Sequence, residues 1–249
     1  MKKIVIIGGA GTVGIILTKA FLKNEHQVVI MDQQKNEEVS DAHFIEVDAT
    51  NLHELTEKVP EADVLINLLN TETSHAIDEV ETFEHMTDIF FKATYYILHT
   101  ATLRKIPKVI FASTNHVTDF YEENGNSLLG REINVNDVPC SRGLYGVLKF
   151  ASEQIGFLFS AEEGISVMNI RIGSVPKDVS KEDVEANDRL KKTLLTDTDL
   201  IGLFTSAIDS NLPFGTYYGV SDNPGKPWDM LKAKTELGYR SMEDTTDIL

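Results

Sequence analysis

A glycine-rich segment near the N-terminus constrains the fold of this chain more than any other feature. Residues 8–14 read Gly-Gly-Ala-Gly-Thr-Val-Gly, which contains the spacing G-x-x-G-x-x-G. An apolar run at residues 4–7 precedes this segment, and a helical stretch at residues 13–24 follows it. A plain strand-to-helix turn also carries glycines, but this context lets backbone amides at a helix N-terminus approach a pyrophosphate closely. The residues expected to contact such a ligand are Gly8, Gly11, Thr12, Val13 and Gly14.

Apolar runs alternate with helical stretches along the first two thirds of the chain. The runs are nearly continuous and rich in β-branched residues, as in strands that are buried on both faces of a parallel sheet. They lie at residues 4–7, 28–31, 44–47, 64–69, 109–112 and 167–172. The helical stretches lie at residues 13–24, 52–58, 77–105 and 145–163. This alternation predicts an α/β protein with a Rossmann-type, doubly wound parallel sheet.

The last third of the chain has a different character. Residues 177–188 are polar and charged, and they predict a surface loop or a short helix. Further helices are expected at residues 194–210 and 228–237, and a strand is expected at residues 216–220. We expect one domain over residues 1–249, in which residues 1–165 are mainly the nucleotide-binding core. Residues 166–249 would then mainly form a small C-terminal substrate-binding lobe with the final strand and helices.

A carboxylate at the end of the second predicted strand indicates which nucleotide is bound. Asp32 lies 18 residues after Gly14 in the sequence, close to the spacing of about 20 residues at which an acidic residue accepts hydrogen bonds from an adenosine ribose. The residues after it include no arginine that would bind a 2′-phosphate, so NAD is predicted rather than NADP. Asp48 and Ala49 close the third strand, where Asp48 is either a partner of the adenine or a solvated strand-end residue.

The charge balance narrows the range of partners. The chain has 23 basic and 39 acidic residues and a net charge of -16, which argues against a nucleic-acid or membrane-surface partner. No apolar segment reaches the roughly 20 residues that a membrane span needs, so we expect a cytoplasmic protein. Cys140 is the single cysteine, and the seven histidines lack ligand spacing, so neither a disulfide nor a metal site is predicted.

A tyrosine and a lysine at the start of the helix at residues 145–163 suggest proton-transfer chemistry. Tyr145 and Lys149 form Y-x-x-x-K, a spacing that puts both side chains on one helix face. An ammonium group near a phenol lowers the pKa of the phenol and lets the phenolate exchange a proton near neutral pH. This pattern also occurs by chance as a solvent-facing pair. Its position in the sequence, after the nucleotide fingerprint and the fifth predicted strand, is what indicates a catalytic role.

Polar residues follow the fifth predicted strand, at the sheet edge where open α/β sheets place their chemistry. Either Ser113 or Thr114 could donate a hydrogen bond to a substrate oxygen, unless both merely cap the turn. His116 is expected to orient the substrate, because the tyrosine is the better candidate for the base.

These residues together resemble the extended short-chain dehydrogenase/reductases, a family of sugar-nucleotide epimerases, dehydratases and related dehydrogenases. Within it, residues 111–117, the Phe120-Tyr121 pair and residues 169–174 are similar to the uronate dehydrogenases. Those enzymes oxidise a hexuronic acid at C1 to the aldaro-lactone and pass hydride to NAD. The resemblance covers essentially the whole chain and implies a sugar or sugar-acid substrate.

The resemblance also implies roles for individual residues. Tyr145 would be the base, Lys149 its partner and a ligand of the nicotinamide ribose, and Thr114 the catalytic hydroxyl. The implied substrate contacts are Asn115, His116, Ser174 and Arg189, the last as a clamp on the uronate carboxylate. Leu68 and Ile172 are expected to line the cofactor site. Homo-oligomerisation is implied through the helices at residues 77–105 and 145–163.

Two positions depart from the family pattern. Phe90 stands where members of the family usually have an asparagine next to the active-site lysine, and Glu72 follows the fourth strand where it would repel an anionic uronate. Two other functions therefore stay open beside a dehydrogenase. One is an epimerase or dehydratase that keeps its NAD bound, and the other is a non-catalytic NAD-binding regulatory protein.

Overall fold

The computed structural model describes residues 1–73 and 77–247, and seven parallel strands form its central sheet. The strands of the sheet are β1 (Lys3–Ile7), β2 (Gln27–Asp32), β3 (His43–Glu46), β4 (Val64–Asn67), β5 (Lys108–Thr114), β8 (Ser166–Ile172) and β9 (Phe214–Gly219). A two-stranded hairpin, β6 (Glu122–Glu123) and β7 (Asn126–Ser127), lies outside it. The sheet order is β3-β2-β1-β4-β5-β8-β9, so the strand order reverses between β1 and β4. A crevice forms at such a reversal, at the carboxyl ends of the strands.

Helices cover both faces of the sheet. They are α1 (Thr12–Lys23), α2 (Leu52–Lys58), α3 (Val80–Met86), α4 (Ala93–Arg104), α5 (Leu144–Glu163), α6 (Lys181–Ala186), α7 (Leu190–Thr193), α8 (Asp197–Asp209) and α9 (Leu231–Glu236). Successive side chains of β1 point to opposite faces: Ile6 packs with Leu17 of α1 and Phe204 of α8, whereas Val5 packs with Leu55 of α2 and Ile97 of α4. The predicted doubly wound α/β fold is confirmed.

The helix predicted over residues 77–105 is present over most of its length but is interrupted. The structure begins this helix at Val80 and inserts a π-helical segment, Thr87–Lys92, between α3 and α4. Within the π-helical segment, the Phe90 carbonyl accepts hydrogen bonds at 2.6 Å from the hydroxyls of Thr94 and Ser152. Hydroxyl donors of this kind satisfy a carbonyl where the regular helical ladder is interrupted.

Two C-terminal helices are shorter than expected, because their first residues pair elsewhere. Leu194 forms a β-bridge with Ser174, so α8 begins at Asp197 after the N-cap Thr196. Trp228 is fully buried and forms a bridge with Ile133, so α9 begins at Leu231. Within the described residues, no helix is both long enough and apolar enough to cross a membrane.

Candidate functional site

A cleft of about 440 Å³ opens at the carboxyl ends of β1, β2, β3 and β4. This is the edge at which a doubly wound sheet binds its ligands. Six of the residues predicted to bind the cofactor line this cleft: Gly8, Gly11, Asp32, Asp48, Ala49 and Leu68. These six predicted cofactor residues therefore lie together around one cleft.

The glycines of the turn differ in what surrounds them. Gly8 has φ +78°, and a Cβ there would lie 2.9 Å from the Leu68 carbonyl carbon. A Cβ on Gly14 would lie 2.3 Å from the Gly9 carbonyl oxygen, so α1 packs directly on the turn. A Cβ on Gly11 would meet only the Gly8 carbonyl oxygen at 3.8 Å. The space above Gly11 is therefore open toward the cleft, which fits a pyrophosphate approaching the helix N-terminus.

Asp32 connects the glycine turn to the end of β2. Its carboxylate accepts hydrogen bonds from the Ala10 amide at 3.0 Å and the Gln33 amide at 2.8 Å. Asp48 accepts hydrogen bonds from the amide and the hydroxyl of Thr50. Burial acts to raise the pKa of Asp48, but hydrogen bonds, chiefly from Thr50, outweigh it and leave the pKa lowered. Both carboxylates are thus held in place by the chain itself and border the cleft.

Six of the predicted cofactor residues are not among those that line the cleft, namely Thr12, Val13, Gly14, Tyr145, Lys149 and Ile172. Thr12 begins α1 and lines a second cavity of about 380 Å³, together with Lys19 and Lys177. Val13 is half-buried and packs on the core. Ile172 is the last residue of β8 and pairs with Thr114 at the sheet edge.

The second half of the site is formed by Lys149, Tyr145 and Thr114. Lys149 lies one turn into α5. Its ammonium group donates to the carbonyls of Leu69 at 3.3 Å and Ala112 at 3.0 Å, and it lies 4.7 Å from the centre of the Phe90 ring. Burial lowers the pKa of Lys149 to about 8, and the charge of Glu153 acts in the opposite direction. The lysine is therefore held by carbonyls and an aromatic ring.

Tyr145 lies beside Lys149 on the same face of α5. Its ring packs against Phe90 at a centroid distance of 5.0 Å and against His116 at 5.7 Å, and Lys149 lies 5.9 Å from its centroid. Burial raises the pKa of the Tyr145 phenol, whereas a hydrogen bond with Thr114 acts to lower it. The structure thus brings together the tyrosine, the lysine and the threonine that the sequence singled out.

Ser113 and Thr114 separate into two environments, because successive residues of a strand face opposite sides. The Ser113 hydroxyl donates to Glu153 at 2.5 Å inside the core. Thr114 ends β5, accepts a hydrogen bond from the His116 amide, and interacts with Tyr145. Of the two candidate hydroxyls, only Thr114 is on the tyrosine side, and the expectation that Ser113 could serve equally well is corrected.

A buried ion pair supports this half of the site, and sequence reasoning missed it. Glu153 accepts two hydrogen bonds from the Arg171 guanidinium, at 2.9 and 2.8 Å, and each residue is 2% exposed. Arg171 also donates to the Tyr218 hydroxyl at 3.3 Å, which is bonded to Thr118. An arginine within an otherwise apolar strand, and a glutamate one turn after Lys149, were the signals that could have revealed it.

The predicted substrate residues lie on two segments after β5 and β8. Asn115 is buried and begins the 3₁₀-helical segment Asn115–Tyr121, and the His116 ring bonds to Asp119 at 2.8 Å. Ser174 follows β8, and its hydroxyl bonds to that of Thr193 at 2.9 Å.

Arg189 is not available as a free clamp. Its guanidinium is paired with the Glu122 carboxylate at distances of 3.0 to 3.3 Å. The implied contact with a substrate carboxylate would have to displace this partner. Glu72, the second departure from the family pattern, is exposed.

Comparison with known proteins places this geometry in a family. Residues 4–176 match the sequence model of the NAD dependent epimerase/dehydratase family. The chain is 44% identical over 250 residues to the uncharacterized protein YtbQ of Bacillus subtilis, covering 100% of this chain and 97% of the relative. It is 22% identical over 262 residues to L-arabinose 1-dehydrogenase (NAD(P)(+)) of Haloferax volcanii, covering 100% of both. It is 26% identical over 255 residues to uronate dehydrogenase of Pseudomonas syringae pv. tomato, covering 99% of this chain and 84% of the relative.

Solved structures agree on the fold. Glucuronic acid dehydrogenase from Chromohalobacter salexigens superposes with a TM-score of 0.81 at 22% identity, covering 100% of this chain and 89% of that chain. The glycine turn, the open space above Gly11 and the acidic end of β2 fit NAD, the cofactor of the matched family. The chain therefore belongs to the NAD-dependent epimerase/dehydratase family, within the extended short-chain dehydrogenase/reductases.

Proposed function

We propose that this protein is an NAD-dependent dehydrogenase that oxidises a sugar or sugar acid, with Tyr145 as the base. The observation that carries the proposal is the arrangement of Tyr145, Lys149 and Thr114 next to the cleft. Two of its relatives bear the names L-arabinose 1-dehydrogenase and uronate dehydrogenase, and both align with nearly the whole chain.

The residues proposed to hold NAD are those of the cleft. The backbone amides around Gly11 and Thr12 face the pyrophosphate at the start of α1, and Asp32 accepts hydrogen bonds from the adenosine ribose. Asp48 and Ala49 lie against the adenine. Leu68, Ile172 and Lys149 extend this surface toward the nicotinamide. When bound, NAD⁺ would accept a hydride, which is the hydrogen together with the electron pair of the substrate C–H bond that breaks.

The chain's own residues move the remaining proton. The Tyr145 phenolate takes the proton of the reacting hydroxyl while the carbon–oxygen bond of the substrate becomes a double bond. Thr114 holds the substrate oxygen by a hydrogen bond, and His116 orients the sugar. Burial raises the pKa of the Tyr145 phenol. The positive charge of Lys149, 5.9 Å from the centre of the Tyr145 ring, acts in the opposite direction and favours the phenolate during this step.

The test measures NADH formation by the purified full-length protein with neutral sugars and hexuronic acids. We expect turnover with wild type and a loss of roughly 10²–10⁴-fold in kcat for Tyr145→Phe, the range for removing a general base. Tyr95→Phe is the matched control, since Tyr95 is exposed on α4. Unchanged kcat in Tyr145→Phe would remove the tyrosine from the mechanism. No turnover on any sugar, with NAD still bound by calorimetry, would favour the regulatory alternative.

A further inference from the structure

We infer that the substrate is an uncharged sugar rather than a sugar acid, because Glu122 already occupies the guanidinium of Arg189. The inference rests on the proposed function and narrows its substrate class. Arg189 donates to both carboxylate oxygens of Glu122, from Nε at 3.2 and 3.3 Å and from a terminal nitrogen at 3.0 Å. A two-oxygen contact of this kind is the geometry with which arginine binds a carboxylate, so the position is filled from within the chain.

The ion pair lies between the two segments that carry the predicted substrate residues. Glu122 directly follows the segment Asn115–Tyr121, which begins with Asn115 and His116. Arg189 directly precedes α7, and Thr193 at the end of α7 bonds to Ser174. The Glu122–Arg189 pair therefore joins both sides of the proposed substrate site.

Glu122 is fixed and mostly excluded from water. It is 6% exposed, and one carboxylate oxygen also accepts a hydrogen bond from the Gly125 amide at 2.5 Å. Gly125 has φ +76°, and a Cβ there would lie 3.2 Å from the Arg189 Cα, so the hairpin and the arginine are packed together. Separating the pair would leave the buried Glu122 carboxylate without its countercharge, which is costly, whereas the Arg189 side chain is 33% exposed. A substrate carboxylate would have to displace Glu122 and would then lie next to it.

The other guanidinium groups near the site are engaged as well. Arg171 is paired with the buried Glu153. Arg142, three residues before Tyr145, donates from its side chain to the main-chain carbonyls of Asp119 and Glu122. A second carboxylate, Asp119, faces His116 from the same segment. A carboxylate-bearing sugar would therefore enter a site whose acidic groups are close and whose arginines already have partners.

The polar groups that remain suit the hydroxyls of a neutral sugar. Asn115 and Ser174, the uncharged residues predicted to contact the substrate, each combine a donor with an acceptor, as a sugar hydroxyl also does, and Ser174 bonds to the fully buried Thr193. A site built from such groups selects among substrates by which hydrogen bonds each one forms, and it does not need a charged residue opposite the substrate.

The experiment compares neutral sugars with uronic acids of the same ring configuration. The purified full-length protein is assayed for NADH formation with D-galactose against D-galacturonate and with D-glucose against D-glucuronate, adding the pentoses L-arabinose and D-xylose. We expect kcat/KM for the better neutral sugar to exceed that of its matched uronate at least about 10-fold, within the range that one missing or unfavourable contact gives.

A charge-removing variant tests the reason for this preference. Glu122→Gln keeps an oxygen for the Gly125 amide but removes the negative charge that neutralises Arg189, so the ratio of uronate to neutral-sugar kcat/KM should rise about 10-fold or more. Glu123→Gln is the matched control, because Glu123 is the exposed next residue. Thermal unfolding of both variants identifies any loss of fold, and the wild-type ratio tests the inference independently of the variants.

The possible outcomes separate this inference from the function on which it rests. Wild-type oxidation of a uronate at least as efficient as that of its matched neutral sugar would overturn the inference and leave the dehydrogenase intact. A uronate-to-neutral ratio that does not change in a folded Glu122→Gln protein would overturn the role of the ion pair. Turnover of neither class, with NAD bound, would overturn the proposed function and the inference together.

Discussion

The two halves of the site are built in different ways. The cofactor half is an open cleft shaped by backbone, since its central features are the positive φ of Gly8, the contact of Gly14 with Gly9 and the amides that Asp32 holds. The reaction half is a packed arrangement of side chains, in which Lys149 is buried above the Glu153–Arg171 pair. The first half depends mainly on backbone conformation and close backbone approach, and the second depends on the packing and pairing of side chains.

This difference predicts how each half fails when it is changed. In a cleft shaped by backbone, one added methyl group should lower ligand affinity even at a position where the folded chain has space for that methyl group. A packed polar core should lose stability first, because removing one charged partner leaves the other one buried.

Removing Glu153 should have the largest effect on stability. Glu153→Leu leaves the Arg171 guanidinium without its carboxylate at a position that is 2% exposed. We expect a loss of about 3–5 kcal/mol in the free energy of unfolding, the usual cost of breaking a buried pair. Urea unfolding measures it, with Glu162→Leu on the exposed side of the same helix as the control. Equal stability of the two variants would show that the pair is not needed to hold the reaction half together.

The glycine turn allows fold and ligand binding to be separated. In Gly14→Ala the new methyl group would lie 2.3 Å from the Gly9 carbonyl oxygen, so we expect about 1–3 kcal/mol of destabilisation or more. In Gly11→Ala the nearest atom is 3.8 Å away, so unfolding should change little while NAD affinity falls. Calorimetric NAD titration beside urea unfolding distinguishes the two variants. Wild-type affinity in Gly11→Ala would mean that the pyrophosphate does not approach this glycine.

The sequence predicted most of the fold, for a physical reason. Buried parallel strands are continuous apolar runs in the sequence, and the glycine fingerprint is a single short segment, residues 8–14. The π-helical segment at Thr87–Lys92 and the pairing of Glu122 with Arg189 depend instead on contacts with distant residues. Neither leaves a periodic signal, so a continuous helix and a free Arg189 were predicted in their place.

Asp32 should matter to affinity more than to folding. Asp32→Ala removes the acceptor for the Ala10 and Gln33 amides and the proposed partner of the ribose. Hydrogen bonds to a charged group contribute about 1.5–3 kcal/mol each, so NAD affinity should fall about 10-fold or more. The control is Asp41→Ala at an exposed position, and the measurement is again calorimetric titration. A variant that binds NAD as tightly as wild type would disprove the role of Asp32.

The smallest effect concerns the Phe90 ring next to Lys149. The Lys149 ammonium lies 4.7 Å from the Phe90 ring centre, and such a contact contributes about 0.5–2 kcal/mol while the lysine is charged. Because the pKa of Lys149 is lowered to about 8 from an ordinary 10.5, the folded protein holds a charged lysine near pH 7 and a neutral one well above pH 8. The protonated form is disfavoured by folding, so this group makes the protein more stable as the pH rises from about 8 toward about 10.5.

Phe90→Leu should therefore destabilise the protein more at about pH 7 than at about pH 9.5, by the contribution of about 0.5–2 kcal/mol that the ring makes to the charged lysine. The packing lost with the ring is the same at both pH values and cancels in the comparison. Other groups that titrate in this range, such as Lys108, cancel in the same way because they are present in both proteins. Phe91→Leu, at the more exposed neighbouring position, should show no such pH dependence. Equal losses for Phe90→Leu at the two pH values would mean that the carbonyls of Leu69 and Ala112, rather than the ring, hold the charge of Lys149.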